Sequence, residues 1–280
     1  MEWDPTQYFR ADDPPTPFAL VILNQPINEK AFSVLREHSC ITICADGGAN
    51  RYYEMMRRHG RESLDLPSLI IGDLDSIHPE IRTHYDNLGV PVIEDPDQYS
   101  TDFTKCLTYL HSHAHEIVAK KSGSRRPSQQ PLNIIILGGL GGRVDQAFSQ
   151  IHHLYMMTQQ QQQESSSALV GHLYLVSEES ITFILRSGKN IIRTPGTNRP
   201  GSTVVGTESH FLEENVGIIP LSGPASITTA GFEWDVADWS TEIGGQISTS
   251  NHIRADVVEV ASRTPVLFTL ELASRFKRAR

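Results

Sequence analysis

Five short apolar runs punctuate the first half of the chain: FALVIL (18–23), ITICA (41–45), SLIIG (68–72), VPVI (90–93) and LNIIILGG (132–139). They are rich in β-branched residues and continuous rather than alternating, which suits strands buried on both faces. Helical patterns lie between them at about 28–38, 49–59, 79–88 and 102–118. Strand–helix–strand repetition predicts a mainly parallel sheet with right-handed crossovers. After the fifth run, Val144, Ala147, Phe148, Ile151, Leu154 and Tyr155 recur at helical spacing, which predicts a further helix ending near Gln159.

From His172 the pattern changes. HLYLVSEES, ITFILRSGKNIIR, GIIPLSG, ASITTAGFEWDV, GQISTSN and DVVEVASRTPVLFTLEL are strand-like runs broken by Gly, Pro, Ser and Asn, with no long helical period. This predicts an all-β C-terminal sandwich domain. The organisation expected is a disordered arm at 1–17, an α/β N-terminal domain at 18–160, a Gln/Ser-rich linker or loop at 161–171, and the β-sandwich at 172–280. Two polar insertions, KKSGSRRPSQQP (120–131) and QQQQQESSS (159–167), read as solvated loops.

Composition adds exclusions. The 280 residues include 24 Lys+Arg against 33 Asp+Glu, a net charge of −9 that argues against non-specific nucleic-acid binding. It leaves nucleotides open, because they bind through metal held by carboxylates. Three cysteines, Cys40, Cys44 and Cys106, do not make a disulfide scaffold and suggest a reducing compartment. No apolar run approaches the roughly 20 residues needed to span a membrane. The acidic, Pro-rich stretch MEWDPTQYFRADDPPTP resembles neither a signal nor a transit peptide, so the expected location is cytoplasmic.

The candidate chemistry is positional. Asp46 follows the second apolar run, in ADGGANR, and Asp73 and Asp75 follow the third, in GDLDS. Open parallel sheets bind ligands at the carboxyl ends of their strands. Carboxylates gathered there repel unless a cation neutralises them, and Mg²⁺ takes one or two carboxylates plus phosphate oxygens. Read singly, each Asp is equally a cap or turn residue. Residues two apart in an extended segment point the same way, which would put Asp73 and Asp75 together. In DPDQYSTDFTKCL, Ser100 or Thr101 can cap the next helix; Asp102 lies in its first turn at the same sheet edge, and Lys105 one turn on. Lys105 either meets phosphate or faces solvent.

LGGLGGRVDQ (137–146) carries a strand into four glycines and a helix, either a tight turn or a phosphate-approaching loop. Arg143 and Asp145 open that helix. It is neither a P-loop nor GxGxxG. In the β half, Trp234 and the STSN run (248–251) are either core and turn residues or a seat for a flat, cationic ring. His111, His113 and His115 read as a solvated helix face.

The ordered set DGGANR (46–51), GDLDS (72–76), QYSTDFTK (98–105), LGGLGGRVDQ (137–146), TTAGFEWDV (228–236) and STSN (248–251) closely resembles the eukaryotic thiamine pyrophosphokinase family, over roughly residues 18–275. The resemblance implies an α/β catalytic domain for ATP and Mg²⁺, a thiamine-binding β-sandwich, and a homodimer with active sites at the subunit interface. It implies transfer of the terminal pyrophosphoryl group of ATP to the thiamine hydroxyl, giving thiamine diphosphate and AMP. It assigns Asp46, Asp73, Asp75 and Asp102 to the Mg²⁺ and catalytic centre. Gln98, Thr101, Lys105, Arg143 and Asp145 fall on the nucleotide and phosphate side, and Trp234, Ser250 and Asn251 on thiamine. Val144 and Gln146 stand where many members carry a bulkier aromatic and a histidine. A Mg²⁺-dependent phosphohydrolase of the same fold, or a non-catalytic thiamine- or nucleotide-binding regulator, are the competing readings.

Overall fold

The computed structural model describes the chain except residues 13, 123–129, 164–169, 203–205, 207, 208, 279 and 280. The apolar runs form parallel strands β2 (Phe18–Ile22), β3 (Ile41–Ala45), β4 (Leu69–Gly72), β5 (Val92–Glu94) and β6 (Leu132–Leu137). The helices between them are α1 (Glu29–His38), α2 (Gly48–Arg58), α3 (Pro79–Asn87) and α4 (Asp102–Ser122). Asn28 caps α1 by accepting from the Ala31 N–H, and Thr101 accepts from the Thr104 N–H at the start of α4. Helix α5 (Val144–Gln163) runs one turn past the expected end, into the glutamines. The 120–131 insertion falls mostly outside the described residues.

The second half is β-rich as expected. Its strands include β7 (Val170–Val176), β8 (Ser180–Leu185), β9 (Gly188–Arg193), β10 (Thr197–Asn198), β11 (Leu212–Pro220), β12 (Ala225–Ala230) and β13 (Trp239–Thr241). The last three are β14 (Ser248–His252), β15 (Val257–Ser262) and β16 (Val266–Leu272). One sheet continues through both halves in the order β10-β11-β16-β8-β7-β6-β2-β3-β4-β5, with β14 on β11. The join is β7, parallel to β6 and antiparallel to β8. The antiparallel end of this sheet faces a second sheet, β9-β15-β12-β13, to form the sandwich. Ile192, Val258, Val260 and Ile227 from one side meet Phe183, Phe268, Leu270 and Ile218 from the other in one core.

The disordered arm is a misreading. Strand β1 (Glu2–Trp3) pairs parallel with β9, and a 3-10 helix (Pro5–Phe9) follows. Trp3, Tyr8 and Phe9 are buried; Trp3 donates its indole N–H to Asn190 Oδ1 at 3.0 Å and packs on His172 and Phe183. The segment reads as solvated because its apolar residues are few and most of their ring partners lie more than a hundred residues away.

Candidate active site

Two strand ends and one helix start converge. Asp46 continues β3, its N–H donating to Ile71 O on β4. Its backbone is left-handed (φ 38°) and its side chain is buried. Both carboxylate oxygens are held by the loop after β4: Ser76 N–H donates to Oδ2 and Ile77 N–H to Oδ1, each at 3.0 Å. Asn50 ties the same loop by donating to Ser76 O and accepting from His78 N–H. Asp73 leaves β4, and its N–H donates to Asp102 Oδ1 at 3.2 Å. Asp46, Asp73 and Asp102 each present an oxygen, all within 4.8 Å of one another.

Gly72 makes that approach possible. A Cβ at this position would stand 2.5 Å from Asp46 Cβ and 3.0 Å from Asp102 Oδ1. Sequence reasoning passed over this glycine, although its place immediately before Asp73 was the available signal.

Lys105 is 4% exposed, and its ammonium lies 3.3 Å from Asp102 Oδ1 and 3.8 Å from Asp73 Oδ2. It is a buried counter-ion, neither a solvent-facing lysine nor one extended toward open space. Burial pushes the Asp46 and Asp102 carboxyls above their ordinary value, and the neighbouring carboxylates add to it. Burial also raises Asp73, but the Asp75 N–H, Lys105 and the Gln98 amide more than offset this and hold it below the ordinary range. Gln98 donates to Asp73 Oδ2 at 3.1 Å. Three carboxylates and one ammonium carry a formal charge of −2. That balance, with hard oxygen donors only, fits a divalent cation such as Mg²⁺.

Asp75 does not join the trio. Leu74 is left-handed (φ 64°), so the DLD segment is bent rather than extended and the two carboxylates diverge. Asp75 is exposed and accepts from Ser76 Oγ at 2.8 Å. Arg143 and Asp145 are exposed and form a two-point ion pair with each other rather than with the cluster. Thr101 meets Thr104 and His153 through its hydroxyl. His113 stacks on Tyr109, and among the described residues the acidic trio is the group able to hold a metal.

A second constellation lies in the β half. Trp234 is 55% exposed on the loop after β12. Asp235 pins this loop by accepting from Thr229 Oγ1, Gly231 N–H and Phe232 N–H. The nearly buried Asn251 clamps Trp234 on both sides, accepting from its N–H at 3.2 Å and donating to its carbonyl at 3.0 Å. Ser250 is exposed, with a left-handed backbone (φ 58°). Six strand spacings of about 4.8 Å separate β3 from β11, which carries β14. Along the sheet, roughly 30 Å therefore lies between Asp46 and β11, and this loop is tied to β14 beyond it.

Residues 32–165 match the family model described as thiamin pyrophosphokinase, catalytic domain, and residues 202–267 match thiamin pyrophosphokinase, vitamin B1 binding domain. The chain is 31% identical to thiamine pyrophosphokinase 1 of Oryza sativa subsp. japonica, over 94% of this chain and 90% of that one. The chain belongs to the thiamine pyrophosphokinase family. A further family member, from Saccharomyces cerevisiae, is 28% identical over 85% of this chain and 79% of its own. The solved thiamin pyrophosphokinase of Candida albicans superposes with a TM-score of 0.77 at 26% identity, covering 97% of this chain and 92% of its own. No helix among the described residues is long and apolar enough to cross a membrane.

Proposed function

We propose that the chain transfers the pyrophosphoryl group of ATP to the hydroxyl of thiamine, releasing AMP and thiamine diphosphate. The observation that carries this reading, within this family, is the Asp46–Asp73–Asp102 cluster around buried Lys105 at the carboxyl edge of the parallel sheet. Asp46, Asp73 and Asp102 would hold Mg²⁺, with exposed Asp75 at the rim. When bound, the ion neutralises charge on the triphosphate. Residues 18–160 serve as the catalytic domain and 172–280 as the thiamine-binding domain.

The thiamine oxygen attacks the β-phosphorus, and the bond from that phosphorus to the α–β bridging oxygen breaks. The hydroxyl proton needs an acceptor. One of the clustered carboxylates, Asp102 or Asp73, serves as that acceptor. Asp46 anchors the loop that follows β4. Gln98 orients Asp73, and Lys105 stops Asp73 and Asp102 from repelling each other. Thr101, Arg143 and Asp145 serve the nucleotide and phosphate side. The rest is positioning and electrostatics.

Trp234, Ser250 and Asn251 hold thiamine, the indole face suiting its cationic ring. The roughly 30 Å of sheet between them and the acidic cluster supports a homodimer in which each site joins the cluster of one chain to Trp234 of the partner subunit. A cytoplasmic setting is supported by the three free cysteines.

The direct test is a chromatographic assay with ATP, Mg²⁺ and thiamine, omitting each in turn. Equal AMP and thiamine diphosphate, formed only when all three are present, is the expected result. Phosphate without thiamine diphosphate overturns the transferase reading in favour of a hydrolase. The shared site is tested by mixing Asp102→Asn and Trp234→Ala chains after co-refolding. Sites shared between chains restore about a quarter of wild-type activity, because half the dimers are mixed and each has one intact site. Sites confined to one chain restore none.

A further inference from the structure

The loop bearing Trp234 has a neighbour that no part of the reading above uses. His252, the last residue of β14, places its ring centroid 5.0 Å from that of Trp234, with the planes inclined at 44°. This lies within the separation at which aromatic pairs attract. The imidazole is itself held: Nδ1 lies 2.7 Å from Glu233 Oε2. Arg254 donates to both Glu233 and Glu214, and so anchors the carboxylate that holds the histidine. Backbone pairing sets the register, since Glu233 N–H donates to His252 O at 2.8 Å. Glu233 and Trp234 are adjacent, so one residue grips the imidazole while the next rests its ring against it.

Trp234 is thus fixed from two sides. Asn251 clamps its backbone, and His252 backs its ring, while more than half of its surface stays open. An exposed indole with a fixed main chain and a free side chain would lose rotamer freedom on binding a flat ligand, and backing the ring removes part of that loss beforehand.

We propose that His252 is a positioning residue for thiamine: its imidazole, fixed by Glu233, holds the Trp234 plane in the orientation that receives the cationic ring. This inference rests on Trp234 being the thiamine plate. It predicts an effect on thiamine affinity that leaves the chemical step and the nucleotide alone.

The test is steady-state kinetics on the full chain, with thiamine and ATP varied separately and the thermal midpoint recorded for each variant. His252→Ala should raise the KM for thiamine about 3–10-fold, the scale of one aromatic pair. The kcat and the KM for ATP should stay within about twofold, because the lost contact holds thiamine equally in the ground and transition states. His252→Phe should recover part of the lost thiamine affinity, since it restores the aromatic plane without the contact to Glu233. If His252→Ala does not fold, His252→Leu replaces it, filling the volume without the aromatic plane, with the same two outcomes. An unchanged thiamine KM in the Ala or Leu variant, while Trp234→Ala raises it, overturns the role of His252. So does a folded Phe variant that fails to recover. An unchanged thiamine KM in Trp234→Ala instead removes the plate reading itself, and the inference with it.

Discussion

Gly72→Ala isolates the geometry of the acidic cluster without touching a charged group. The added methyl would stand 2.5 Å from Asp46 Cβ and 3.2 Å from Asp46 Cα. Carbon atoms rest at roughly 3.5–4.0 Å, so the closest contact falls short by about 1 Å. Asp46 has little room to yield: its N–H is tied to Ile71 O, and both carboxylate oxygens are tied to Ser76 and Ile77. Strand β4 must therefore shift, carrying Asp73 with it. Overpacking of this kind costs about 1–3 kcal/mol, and a 1 Å misplacement of catalytic groups costs about 10²-fold in rate. The expected result is a kcat/KM for thiamine diphosphate formation about 10²-fold lower. A weaker Mg²⁺ midpoint should accompany it, with the thermal midpoint lowered by only a few degrees. A variant with wild-type turnover and an unchanged Mg²⁺ midpoint would refute the claim that this glycine sets the carboxylate spacing.

Three further outcomes follow from the same structure. Lys105→Met leaves Asp73 and Asp102 facing each other uncompensated, and should destabilise the protein toward the lower end of the roughly 3–5 kcal/mol typical of a broken buried pair. Added Mg²⁺ should recover part of the loss in urea unfolding, and its failure to do so would argue against cation binding there. Trp3→Ala removes a buried ring that also donates to Asn190, so a loss of about 3–5 kcal/mol is expected, readable as a lower urea midpoint. Burial, with Arg186 and the N-terminal ammonium adding to it, pushes the His172 pKa down to about 4 from 6.5. The folded state thus resists a proton that the unfolded chain accepts. Stability is fully present above pH 6.5 and lost as pH falls toward 4, by up to about 3 kcal/mol. Unfolding free energies of wild type and His172→Phe should diverge across that window, and parallel curves would remove His172 from the account.

The parallel half was legible because its strands are buried on both faces, so each shows as an unbroken apolar run whatever its neighbours. The positions of Asp46, Asp73 and Asp102 followed from the rule that loops at the carboxyl ends of such strands carry the site. What escaped notice was set by backbone turns and distant partners. An extended DLD segment would group Asp75 with Asp73, and the left-handed Leu74 bends it instead. Lys105 in isolation gave no sign of being buried, because the carboxylates that enclose it come from β4 and its own helix start. The continuity of the sheet through β7 was equally hidden, since a strand pairing parallel on one side and antiparallel on the other leaves no mark on hydrophobic pattern. His252 and Glu233 were invisible as a pair because 19 positions separate them.

The seam between β1 and β9 has a consequence for how the polypeptide is made. Trp3 is complete only when Asn190 and Ile192 are in place. A ribosome adding about 5–20 residues per second needs roughly 10–40 s to cover that interval. Throughout it the parallel strands can assemble, while Trp3 lacks its bond to Asn190 and the pairing with β9. Exposure of the Trp3 indole should fall once translation passes β9.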